Sequence, residues 1–410
     1  ASKTNYQEPA FKIMTSPIAT ILEDAMVFEA VIMMQEDDIR HIAVKNADNK
    51  IIGLISIKEI ILIQRHSSAY LIKEINMAED VDKIVEAHER LPRLIKALID
   101  SGAQAKNITR IITSVSDAIT IKLIDFAIKK IGPPPCEFSF MTLGSEAREE
   151  QTLKTDQDNA IIFEDIDSKV NQKYFLELGE LVCTWLDKAG YDFCEGDVMA
   201  KNPKWCQPIS QWVKYFSKWI NTSDPQALID INIFFDFRNV YGSKELTGRL
   251  KDFIDKASAN KNLFFYHMAK SSLEFKPPIN IFGNISAKTD SSGESIINTK
   301  DAIMPIVGFA KVYSLKNNLL QTNTLDRFKQ LYERKIITEE VYKDISHAYN
   351  FLMVLRFKSQ ADKINNKEKP DNNINLKDLT HIQLTTLRKI FSQISNFQTK
   401  LSYDFTGRAL

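Results

Sequence analysis

Gly132 is followed by three consecutive prolines, Pro133 to Pro135, and no helix can run through that point. Proline lacks the backbone N–H and its ring collides with the preceding turn. Upstream, "DVDKIVEAHERLPRLIKALIDSG" and "NITRIITSVSDAITIKLIDFAIKKIG" carry apolar residues at i, i+3, i+4 and i+7, which predicts two long amphipathic helices. Asp80 is placed to cap the first and Gly102 to end it. His88, set among Glu86, Glu89 and Arg90, reads as a surface residue. Downstream, "EFSFMTL" alternates like a strand. A helical region therefore meets an α/β region at residue 135.

At 410 residues the chain predicts two to four domains. Lysine plus arginine and aspartate plus glutamate are equal at 53 each, so no broad basic field exists to bind nucleic acid, and none is expected as a partner. Cys136, Cys183, Cys194 and Cys206 show no metal-ligand spacing, so a structural zinc site is not expected and a reduced cytoplasmic compartment is. No apolar stretch approaches the ~20 residues of a membrane span. Position 1 is Ala rather than Met, which suggests a fragment of a longer protein.

Near the N-terminus, "IATIL" reads as a strand, "EDAMVFEAVIMMQEDD" as an amphipathic helix, and "HIAV" and "IIGLISI" as a hairpin around "KNADNK". This order resembles one CBS module, the small α/β unit that binds adenine nucleotides in pairs. The resemblance implies that Ser56 and Glu59 meet ribose and phosphate, with Glu where Asp is commoner. The residues also fit a plain helix start, Ser56 capping and Glu59 as the capping-box acid. A single copy exposes the face it would bury in a pair, so a homodimer is expected.

The chemistry lies in "GSEAREEQTLKTDQDNAIIF", residues 144–163. Ser145 suits the N-cap of a short helix, and "DQDNAIIFED" reads as a second strand opening on two carboxylates. Residues two apart on a strand share a face, so Asp156 and Asp158 project together with α-carbons roughly 6.6–7 Å apart. Two divalent cations with oxygen ligands would turn that repulsion into a site. Gly144 lets the main chain approach a phosphate closely. A third carboxylate is sought in "ALIDINIFFDFRNVYG", read as a strand with Asp230 and Asp236 on one face; Asp236 is favoured and Asp230 is the alternative. Arg238 either meets phosphate or pairs with an aspartate. In "MAKNPKW", Lys201 and Lys204 suit phosphate and Trp205 a base, although a surface loop packed by Trp205 fits equally.

Strand, Gly-Ser, short helix and Asp-x-Asp strand together resemble the nucleotidyltransferase superfamily of DNA polymerase beta. The whole chain is similar to bacterial CBS-plus-nucleotidyltransferase signalling proteins related to the PII uridylyltransferase, carried by the block at 144–163, "GDVMAKNPKWCQPISQW", "FFDFRNVYG" and "PINIFGNISAKTDSSGESIINTKDAIMPIVGFAKVYSL". In the first block Ala147 stands where the family commonly has Gly. The resemblance implies transfer of a nucleoside monophosphate from a nucleoside triphosphate to a protein or small-molecule hydroxyl, with Mg2+ or Mn2+ at Asp156, Asp158 and Asp236. Gly144, Ser145 and Arg148 would bind phosphate, and adenine nucleotides would regulate. A non-catalytic nucleotide-sensing scaffold is the alternative.

From residue 243 onward long amphipathic helices predict a bundle, the substrate-binding half by resemblance. Lys300, Lys311, Arg327 and Arg356 either line its cleft or lie on solvated faces. Residues 282–295 read as a mobile lid and "NNKEKPDNNINLKD" as a loop. The expected fold is α+β and multidomain: a CBS-like module at 1–68, a helical connector at 69–135, a polymerase-beta-type mixed sheet at 136–245 and a helical bundle at 246–410.

Overall fold

The computed structural model describes residues 9–12, 14, 16–25, 27–57, 68–222, 232–280, 283–289 and 293–407. Its chain forms two compact units, residues 1–71 and 72–410. The first contains β1 (Thr20–Leu22), α1 (Val27–Glu36), β2 (His41–Lys45) and β3 (Ile51–Ser56). β1 runs parallel to β2, and β2 antiparallel to β3. The hairpin turns where Asn46 Oδ1 accepts from the Asp48 and Lys50 N–H groups and Asn49 takes a φ of 61°. Ile21, Ala30, Met34 and Ile42 form a small core. Ile51, Ile52 and Leu54 stay more than half exposed on β3. Ser56 ends that strand, and Glu59 lies outside the described residues.

The second unit opens with α2 (Ser68–Met77), whose first turn precedes the division, then α3 (Val81–His88), α4 (Leu91–Asp100) and α5 (Ala105–Ile131). The single helix expected over α3 and α4 is two, because Pro92 occupies the first turn of α4 behind Arg90. Asp80 accepts from the Lys83 N–H at 2.9 Å, and Gly102 turns the chain with φ 79°. His88 departs from the surface reading. Its ring packs 5.0 Å from that of Tyr191, and burial pushes its pKa down to about 4.

After the prolines come β4 (Phe138–Leu143), α6 (Gly144–Ala147), β5 (Asp156–Gln157), β6 (Asn159–Phe163), α7 (Ser168–Lys188), β7 (Asp192–Phe193), β8 (Cys206–Pro208), α8 (Ile209–Ile220), β9 (Phe237–Gly242) and α9 (Lys244–Ser258). The mixed sheet has the order β8-β6-β4-β9, with β6 parallel to β8 and β4 antiparallel to both neighbours. Every residue of β4 and β6 is buried, the small polar Ser139 and Thr142 of β4 included. The expected strand over 232–236 is instead a 3₁₀ turn, Asn232–Phe235, with Asp236 at the bend into β9. Phe234 and Phe235 both point into the core there, which strand alternation forbids. Asp230 lies outside the described residues.

The remainder is α10 (Asn262–Ser272), β10 (Lys288–Thr289), β11 (Ser295–Asn298), α11 (Thr299–Lys316), α12 (Thr324–Glu333), α13 (Glu339–Asn365), β12 (Asn373–Asn375) and α14 (His381–Thr406). α11 is the central helix, touching α10, α12, α13 and α14. β10, β11 and β12 pair antiparallel, so strands occupy both the segment read as a lid and the segment read as a loop. Residues 282 and 290–292 of the former lie outside the description. No helix among the described residues is long and apolar enough to cross a membrane.

Candidate functional site

The acidic pair sits at a break between strands. Asp156 belongs to β5, which pairs with β7 by the register Asp156↔Asp192 and Gln157↔Phe193. Asp158 falls between β5 and β6, and its carbonyl accepts from the Leu143 N–H at 2.8 Å. One continuous strand was expected; two short ones with different partners are found. Cys194 directly follows β7 as Asp158 directly follows β5. One ligand atom from each of Asp156, Asp158 and Cys194 lies within 4.8 Å of the others. Asp158 is 8% exposed, and its Oδ1 has no hydrogen-bond partner among the described residues. Burial, then the Asp156 charge, push the Asp158 carboxyl up to about 7, against the pull of Cys194, Lys300 and Arg148. A buried carboxylate oxygen without a donor fits a cation.

Gly144 takes a φ of 57°, and a Cβ there would sit 2.9 Å from Ile233 Cγ1 and 3.4 Å from Asp158 Oδ2. Its N–H donates to the Asp236 carbonyl at 3.0 Å and so holds β9 rather than a phosphate. Ser145 is not the N-cap, since α6 starts one residue earlier behind Leu143. Ser145 instead lines a cavity of about 310 Å³ together with Asp156, Arg148, Lys300 and Arg356.

Asp236 departs most from expectation. It is fully buried, and Arg148, Lys311 and Arg327 reach its carboxylate at 2.9, 2.8 and 2.7 Å. Burial alone would raise this carboxyl, but Arg327, Lys311 and Arg148 together hold it well below the usual carboxylate range. With its charge already balanced, Asp236 needs no metal, and it is not among the clustered ligands. Arg148, expected on phosphate, divides its guanidinium between Glu150 at 2.8 Å and Asp236. Lys311 and Arg327 are buried, not on solvated faces, and burial brings the Lys311 pKa down to about 8 in spite of Asp236.

Arg238 resolves the same way, donating from both terminal nitrogens to Asp117 at 2.8 Å. Lys201 lies 3.9 Å over the Phe193 ring, whose other neighbours include the cavity, whereas Lys204 is exposed away from it. Trp205 packs within an aromatic cluster, 4.3 Å from Phe234 and 6.2 Å from Trp212, so it offers no face to a base.

The cavity's free cations come from the bundle. Lys300 opens α11 and Arg356 lies midway along α13. Among the described residues neither makes an ion pair; Arg356 Nε donates to Asn372 Oδ1 at 2.9 Å. Lys154 and Lys369, on the same wall, are both spent on Asp192. Ile303, Met304, Val307 and Met353 supply an apolar side. Sequence reasoning missed Cys194, because its nearness follows from strand pairing and not from spacing.

A mixed sheet bearing two clustered carboxylates is faced by a helical domain whose Lys300 and Arg356 line the same cavity and make no ion pair among the described residues. In chain order, residues 10–65 match the CBS domain, residues 89–226 the family described as "Putative nucleotidyltransferase DUF294", and residues 262–405 the "Putative nucleotidyltransferase substrate binding domain". The three matches follow one another along the chain without overlapping. The second match begins inside the helices that precede the prolines. No curated protein matches the chain.

Proposed function

We propose that the chain is a metal-dependent nucleotidyltransferase that moves a nucleoside monophosphate from a nucleoside triphosphate to a protein or small-molecule hydroxyl. One observation carries this reading: Asp156 faces the same cavity as Lys300 and Arg356, which make no ion pair among the described residues, and the cavity's size suits a nucleotide. Lys300 and Arg356 hold the triphosphate by charge-assisted hydrogen bonds, and the apolar wall of Met304 and Met353 takes the base. Asp156 and Asp158 would hold Mg2+ or Mn2+, which when bound neutralises charge on the polyphosphate. The acceptor oxygen attacks the α-phosphorus, pyrophosphate leaves, and the hydroxyl proton passes to solvent. Asp236, held ionised by three cations, is neither base nor ligand; it fixes Arg148 and the bundle beside the cavity.

The CBS domain would bind an adenine nucleotide at Ser56 and Glu59 and regulate transfer. The apolar face of β3 suits pairing with a second copy, giving a homodimer. All four cysteines are free thiols, in keeping with a reducing cytoplasm.

A second reading, a nucleotide-sensing scaffold without turnover, is favoured by the commitment of Asp236 to ion pairs, which leaves two carboxylates where a two-metal transferase uses three. Incubation with each labelled nucleoside triphosphate and Mg2+, with and without a cell lysate, separates the two. Label transferred by the wild type and absent with Asp156→Ala supports the transferase; saturable binding with no transfer to any acceptor supports the scaffold.

A further inference from the structure

We propose that Cys194 is a third metal ligand beside Asp156 and Asp158, and that this site takes a thiophilic divalent cation of the Zn2+ and Cd2+ class. Asp158 directly follows β5 and Cys194 directly follows β7, and the parallel pairing of those two strands brings both chain segments to the same place. Sulfur and the two carboxylate oxygens lie within 4.8 Å of one another, close enough to share one ion. A second observation points to a ligand independently of the cluster. Asp158 is more than nine-tenths buried, and its Oδ1 has no partner among the described residues.

The donor set decides the kind of ion. Mg2+ demands oxygen ligands in an octahedron and leaves a thiol as a bystander. Thiolate sulfur selects softer ions, and two oxygens with one sulfur leave a fourth tetrahedral position open for water or a phosphate oxygen. On binding, the sulfur–metal bond forms as the thiol proton passes to solvent; nothing is oxidised or reduced. A Zn2+-class ion held by all three side chains would compete there with the Mg2+ or Mn2+ of the proposed transferase; the inference rests on that reading for what an ion does, though not for its binding.

The test uses the full chain, stripped with EDTA and titrated with CdCl2 without nucleotide. The wild type should develop a sulfur-to-cadmium charge-transfer band in the ultraviolet that saturates near one equivalent. Cys194→Ser should abolish that band and weaken Cd2+ binding by at least the ~10–100-fold that loss of even an outer partner costs. Asp158→Asn, which keeps every thiol, should weaken Cd2+ binding similarly; circular dichroism checks that both variants are folded. A band that persists in Cys194→Ser, or none in the wild type, overturns the proposal. Transfer with Mg2+ alongside no Cys194-dependent band removes this inference and leaves the function; the band without transfer does the reverse.

Discussion

Arg327 Nη2 lies 2.7 Å from Asp236 Oδ1, and through that contact α12 of the bundle is tied to the start of β9. Both groups are buried, with Lys311 and Arg148 on the same carboxylate. Removing the shared anion takes the common carboxylate from buried Lys311 and Arg327 and leaves Arg148 with Glu150 alone. Asp236→Ala should therefore cost about 3–5 kcal/mol in urea unfolding, with or without metal. If EDTA-treated wild type and variant unfolded together and only metal affinity fell, Asp236 would be a ligand after all.

Lys300 and Arg356 make a different prediction. Neither forms an ion pair among the described residues, so their charges are available to a polyphosphate. Lys300→Ala and Arg356→Ala should each weaken nucleoside triphosphate binding by about 10–100-fold, the equivalent of roughly 1.5–3 kcal/mol for a hydrogen bond to a charged group. Calorimetric titration at low and moderate salt reads this directly. Unchanged dissociation constants in both variants would remove the phosphate-binding role.

The contrast between these cations shows what the sequence carried. β4 is legible because "EFSFMTL" alternates apolar and small residues, β6 because its short apolar run opens on two carboxylates, and Asp156 with Asp158 because their spacing is local. Lys311 and Arg327 sit on helices whose periodicity is compatible with either fate; their counter-ion is the Asp236 carboxylate at the bend into β9, a long-range fact. Asp236 was misplaced because alternation around Phe234 and Phe235 imitates a strand, while both rings are needed inside. Cys194 reaches Asp158 only after α7 has returned the chain to pair β7 with β5, and Trp205 has its neighbours chosen by the 3₁₀ turn.

Glu146 predicts a pH dependence. It is buried, and the Ser116 hydroxyl donates to its Oε1 at 3.3 Å. Burial, then Asp117, push its carboxyl up to about 8, against the pull of Arg238. Because the folded pKa exceeds the unfolded one of 4.5, the folded state holds the proton more tightly. Its contribution is complete below the unfolded pKa and is lost as pH rises through the folded one, with a slope approaching about 1.4 kcal/mol per pH unit. Glu146→Gln should flatten urea stability between pH ~5 and ~8 relative to wild type. Parallel profiles would show that Glu146 is ionised throughout.

Gly144 joins the fold to the site and gives the sharpest steric prediction. At φ 57° an L-residue is strained by about 1–2 kcal/mol. A methyl there would also press on Ile233 Cγ1 at 2.9 Å, inside any normal contact, at a further cost of about 1–3 kcal/mol. Ile233 cannot retreat freely, because the same 3₁₀ turn seats Phe234 and Phe235 in the core. The remaining relief is to push away Asp158 Oδ2, 3.4 Å from the new atom. Gly144→Ala should thus lower the urea midpoint and weaken divalent-cation binding together. A variant as stable as wild type with unaltered cation affinity would show that the turn relaxes without moving the carboxylate.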